Sequence, residues 1–145
     1  MAAVHLGLEV ESLDLVDDVV EGEPAGRVHV LGMACDPAKD RIICLAGLFG
    51  ECLTRARPWK RLPLHAYIGG AKSDLETVRA LARAAVGDDV ARQDEYIGAS
   101  WDATVVELDR PDLRAAMRDS ATALLAAGEL DGEGVVRMVN RYKYR

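Results

Sequence analysis

Aliphatic side chains recur along this chain at two different spacings, and that recurrence limits the folds open to it. Some stretches carry an apolar residue at every second position, the period of a strand with one buried face. Others space them three and four apart, the period of a helix with one buried stripe. Val4-His-Leu-Gly-Leu-Glu-Val-Glu11 follows the first rule. So do Arg27–Ala34 and Leu62–Ile68, the latter through Leu62, Leu64, Ala66 and Ile68. In the second of these, Val28 and Val30 share one face while His29, Leu31 and Met33 share the other, and apolar content on both faces predicts a central strand. Ala103–Leu108 reads as a fourth strand. The tail Val135–Arg145 can form a helix, but its two-residue period and the preceding Asp131-Gly-Glu-Gly134 turn favour a last strand, with Val136, Met138, Tyr142 and Tyr144 on one side and Arg137, Val139, Arg141, Lys143 and Arg145 on the other. The acids and turn residues through Glu21-Gly-Glu-Pro-Ala-Gly26 read as a loop.

Helical spacing appears in three places, each with local start or stop chemistry. Asp36-Pro37 opens the first: an Asp accepts from free backbone N–H groups, and a Pro lacks one where none is needed. Ile42, Leu45, Ala46, Phe49 and Leu53 then form its inner face, widened by Ile43 and Leu48, and Pro58 ends it. Gly47 and Gly50 weaken this helix, which predicts close approach of another backbone there. Ser73 with Glu76 forms a capping-box pattern ahead of Leu75, Val78, Leu81, Ala82 and Ala85, and Gly87 closes that helix. Pro111 opens a third, with Leu113, Ala116, Met117, Ala121 and Leu124 inward and Gly128 at its end. The expected fold class is therefore α/β (α+β). It is a single domain over residues 1–145, one mixed β-sheet of about five strands with three helices packed on it, in the order β-β-α-β-α-β-α-β. The 145 residues suit one core, and with aromatics at 5% that core is aliphatic.

Charge bounds the partners. The net charge is −6, which argues against a phosphate-backbone ligand. Seven acids (Glu9, Glu11, Asp14, Asp17, Asp18, Glu21, Glu23) face one base, Arg27, before Cys35, whereas Arg137, Arg141, Lys143 and Arg145 close the chain without an acid. Such polarity fits solvated faces, or an acidic surface meeting a basic one within the chain or between subunits. No apolar run reaches the roughly 20 residues of a membrane span, and no leader pattern opens the sequence. The expected location is cytoplasmic, with Cys35, Cys44 and Cys52 as reduced thiols buried like small hydrophobes.

Few residues form a chemical constellation. Cys35-Asp-Pro-Ala-Lys-Asp-Arg41 has the C-x5-R spacing of cysteine phosphatases between a strand and a helix. Asp36 and Asp40 would repel a phosphate dianion, and Pro37 lacks an N–H to offer it, so Cys35 reads chiefly as a structural thiol and remains the one candidate nucleophile. Ile68-Gly-Gly-Ala-Lys-Ser73 places Gly69, Gly70, Lys72 and Ser73 where a helix N-terminus begins, and free N–H groups with a cation and a hydroxyl can hold a small anion. The plainer reading is a flexible turn with a good cap. His5, His29 and His65 lack the paired spacing of metal ligands, so no metal and no cofactor are expected. Arg55, Arg57, Trp59, Lys60 and Arg61 read as a solvated connector rather than a nucleic-acid surface, and Trp101 as a plug for the core or a subunit contact.

From Gly26 to Leu108 the chain resembles the RidA/YjgF family of imine and enamine deaminases. Arg27-Val-His-Val-Leu-Gly32, Leu64-His-Ala-Tyr-Ile68, the Ser73–Val86 helix and Ala103-Thr-Val-Val-Glu107 carry the likeness. The resemblance implies a subunit-interface site with an Arg for a substrate carboxylate. Here the corresponding stretch reads Gly98-Ala-Ser-Trp101, and the family's final strand is replaced by the helical Leu113–Ala126.

The resulting expectation is a non-enzymatic α/β domain that self-associates or docks on a protein partner, through Arg137, Arg141, Tyr142 and Tyr144 on an edge strand. The alternative is a small enzyme or ligand-binding domain with an anion site at Gly69, Gly70, Lys72 and Ser73.

Overall fold

The computed structural model describes residues 2–17, 24–31, 36–54 and 71–143. Its elements run α1 (Ala2–His5), β1 (Glu9–Asp17), β2 (Pro24–Leu31), α2 (Pro37–Thr54), α3 (Ala71–Val86), α4 (Val90–Leu108), α5 (Pro111–Ala127), β3 (Glu129–Asp131) and α6 (Gly132–Lys143). Six helices and one three-stranded antiparallel sheet are thus present among the described residues, in place of the expected five-stranded mixed sheet with three helices. The contacts gather into two compact units, Cys35–Leu108 and Met1–Ala34 with Asp109–Arg145.

The unit Cys35–Leu108 is helical throughout its described part, and α2, α3 and α4 each pack on the other two. The carboxylate of Asp36 accepts from the Ala38 N–H at 2.9 Å and starts α2 as its sequence predicts. Ile42, Leu45, Leu48, Phe49 and Cys52 then bury one broad face. Gly47 does admit a neighbour closely, but that neighbour is the Asp74 carboxylate of α3, 3.1 Å from where a Cβ would stand; Gly50 faces open space. On α3, Leu75, Val78 and Ala82 form the buried stripe. This helix begins at Ala71, so Ser73 lies inside its first turn rather than capping it. Gly87, at φ +80, turns the chain out of α3. Its N–H donates to the Arg83 carbonyl, and the Asp89 carboxylate accepts from the Arg92 N–H to open α4 two residues later.

The stretch Ala103–Leu108 forms the last turns of α4, which overturns the fourth predicted strand. Its β-branched residues argued for extended backbone, but the buried positions Ile97, Ser100, Trp101, Thr104 and Leu108 follow helical spacing. The two buried hydroxyls are satisfied within the helix: Ser100 donates to the Tyr96 carbonyl at 2.7 Å and Thr104 to the Ser100 carbonyl at 2.8 Å. Trp101 fills the core, as one of its two expected roles required, against Phe49 at a centroid distance of 6.2 Å. The third predicted strand, Leu62–Ile68, lies outside the described residues.

In the other unit the sheet order is β2-β1-β3, so β1 is central and β2 lies at an edge, contrary to the central position its two apolar faces argued for. The predicted Val4–Glu11 strand is overturned at its start. Ala2–His5 is a helical turn and Gly7 takes φ +79, a left-handed value outside the extended region that ends that turn ahead of β1. Beyond Glu11 the chain stays extended to Asp17, and β2 begins at Pro24, inside the stretch Glu21–Gly26 that read as a loop. A bulge between Val10 and Ser12 explains why alternation failed to reveal this stretch. Val10 pairs with Val30 and Leu13 with Val28. The extra residue thus sets Val10 and Leu13, three apart, on one sheet face, and both are buried.

The predicted C-terminal strand is also overturned, because Gly132–Lys143 is helix α6. Val135, Val139 and Tyr142 follow helical spacing toward the interior, while Asn140 breaks the apparent alternation at the position that should have been apolar. Asp131-Gly-Glu-Gly134, read as a turn ahead of a strand, is a helix start, in which the Asp131 carboxylate accepts from the Gly134 N–H at 2.6 Å. Helix α5 runs from Pro111 to the Gly128 cap as its sequence predicts, with Leu113, Ala116 and Ser120 buried and Ala121 exposed. It packs on α6, where the Ser120 hydroxyl donates to the Met138 sulfur at 3.1 Å. Both helices also touch β1.

Candidate functional site

The structure describes only part of the set of residues singled out by sequence. Cys35, Gly69, Gly70, His65, Tyr144 and the connector Arg55–Arg61 lie outside the described residues. Lys72 and Ser73 stand in the first turn of α3, which leaves the anion-binding turn half placed. Arg137, Arg141 and Tyr142 occupy α6 rather than an edge strand, and the basic groups already have acidic neighbours. Arg137 lies 3.3 Å from Glu133 and 3.9 Å from Asp131, while Arg141 lies 4.0 Å from Asp119. The Tyr142 hydroxyl donates to that same Asp119 carboxylate. Arg137 and Arg141, two of the four bases that close the chain, are therefore met by acids on β3, α5 and α6 itself. These arginines are more than half exposed, so each pair contributes little to stability.

Cysteine chemistry is muted at the described thiols. Burial, followed by the Asp74 and Asp40 carboxylates, pushes the Cys44 thiol above its ordinary pKa, which keeps it protonated and a poor nucleophile near neutrality. Cys52 is fully buried. Among the described residues no three His, Cys, Asp or Glu side chains are grouped to hold a metal ion. No described helix is long and apolar enough to cross a membrane.

Two features escaped the sequence reading. In the helical unit, the Arg41 guanidinium lies 5.5 Å above the Tyr96 ring. Nearby in sequence, Tyr96 joins Ala85, Val86, Arg92, Glu95 and Ala99 in lining an open depression of about 450 Å³ at the α3–α4 turn. Nothing in the linear pattern marks this arrangement around Tyr96, which depends on how α2, α3 and α4 pack.

The second feature is on the sheet. Leu130, Leu13 and Val28 are direct antiparallel partners across β3, β1 and β2, so their side chains share one face. Burial falls along this row: Leu13 is buried and Leu130 half-buried, yet Val28 is 48% exposed. The next row behaves alike, with Val10 buried and Val30 only half-buried. Apolar cover thus thins out toward β2, whose outer edge pairs with no other strand among the described residues. Pro24 is the first residue of β2, a position proline takes in edge and central strands alike, so the sequence carried no signal of the edge.

The chain matches no family model, no curated protein and no solved structure. The strand that the RidA/YjgF resemblance required at Ala103–Glu107 is helical, so the fold gives that likeness no support.

Proposed function

We propose that this chain is a protein-interaction module that receives an extended segment of a protein partner along the outer edge of β2. The observation that carries the reading is the apolar row Leu130–Leu13–Val28, buried in the middle of the sheet and open at Val28. An added strand would do two things at once. It would give partners to the outward N–H and C=O groups of an eight-residue strand, and it would cover Val28 and Val30 with alternate side chains of its own. Completing the burial of a half-exposed valine contributes about 1 kcal/mol, so most of the affinity would come from the backbone ladder. The interaction reading made from the α6 residues gives way here to one centred on β2, since Arg137, Arg141 and Tyr142 are engaged within their own unit.

Hydrogen exchange on the isolated chain tests this. Alternate β2 amides, those directed away from β1, should exchange fast at low protein concentration and become protected when a partner strand binds. The source of that strand is read in the same experiment: protection that grows with the chain's own concentration, together with a dimer mass by light scattering, identifies a second copy. Protection that appears only with a purified partner identifies a different protein. Val28→Lys places a charge in the row and should abolish protection in either case while leaving the far-UV spectrum unchanged. Slow exchange at every β2 amide in the dilute monomer, or partner retention unaffected by Val28→Lys, overturns the reading.

A further inference from the structure

We draw no further inference here: the strongest candidate, the open depression at the α3–α4 turn lined by Ala85, Val86, Arg92, Glu95, Tyr96 and Ala99, carries nothing because no feature of the structure shows what covers it.

Discussion

Gly132, the first residue of α6, lies so close to the Val10 carbonyl of β1 that a Cβ there would overlap the oxygen and stand 2.8 Å from the carbonyl carbon. The Glu11 carbonyl oxygen is 3.1 Å from the same point, so the helix begins directly against the bulge of the central strand. Backbone atoms cannot swing aside as a long side chain can. Gly132→Ala should therefore destabilise this unit by about 2 kcal/mol or more, because overpacking outweighs the fraction of a kcal/mol that alanine gains in a helix. Gly98, inside α4, is the opposite case: nothing lies within 4 Å of its added Cβ. Gly98→Ala should stabilise by about 0.5–1 kcal/mol through helix propensity alone. Urea titrations of the two variants should move the midpoint in opposite directions, and a neutral Gly132→Ala would show that α6 can shift away from β1 at no cost.

The short passage from β3 into α6 rests on one side chain. Asp131 is both the last strand residue and the helix cap, and its carboxylate receives the Gly134 N–H. Asp131→Ala leaves that donor without its acceptor and should cost about 1 kcal/mol, whereas Asp131→Asn retains an acceptor oxygen and should cost a few tenths. The ion pair to Arg137 is too long and exposed to change this ordering. Equal losses in the two variants, measured by chemical denaturation, would assign the effect to charge instead of capping.

What the sequence makes legible here is local chemistry at helix ends. Asp36-Pro37, Gly87, Pro111 and Gly128 each start or stop a helix where their own hydrogen-bonding and φ preferences dictate. Strand content was misjudged for a different reason. Over five to ten residues a two-residue period and a helical one fit the same apolar positions, and only packing decides between them. Val105 and Val106 favour a strand by propensity, but Trp101, Thr104 and Leu108 bury one helical stripe against α2 and α3, and that burial prevails. In β1 the reverse occurred, since the bulge removed the alternation that would have disclosed Leu13 and Leu15 as strand residues. The open edge at Val28 depends on sheet order, which no linear pattern contains.

Cys44 offers a test of electrostatics in the helical unit. Burial raises its thiol pKa first, and the Asp74 and Asp40 carboxylates raise it further. A raised pKa means a smaller thiolate fraction at neutral pH, so alkylation of Cys44 should run several-fold slower than that of an unfolded thiol. Asp40→Asn removes one carboxylate and should speed the reaction, though not to the unfolded rate, because burial remains. Site-resolved mass spectrometry after timed iodoacetamide exposure reads each cysteine separately. Cys44 labelling at the unfolded rate in the native chain would contradict the burial of its sulfur.

At the start of α5, the Arg110 guanidinium grips both oxygens of Asp112, through Nε at 3.2 Å and Nη2 at 2.9 Å. These bonds hold the Asp112 carboxyl below the usual aspartate pKa, aided by the backbone N–H groups of the first helical turn. A carboxyl whose pKa is lower folded than unfolded stabilises the native chain above the unfolded value, near 3.9, and loses that contribution as pH falls through the folded value. Arg110→Ala should accordingly move the Asp112 titration midpoint up toward the ordinary range. The stability gap between the parent and Arg110→Ala should be largest near neutrality and should close in strong acid. Carboxyl-carbon NMR titration reads the first effect, and denaturation at pH 7 and pH 2 reads the second. An unmoved midpoint would transfer the depression from the guanidinium to the helix N-terminus, where Asp112 would keep it without Arg110.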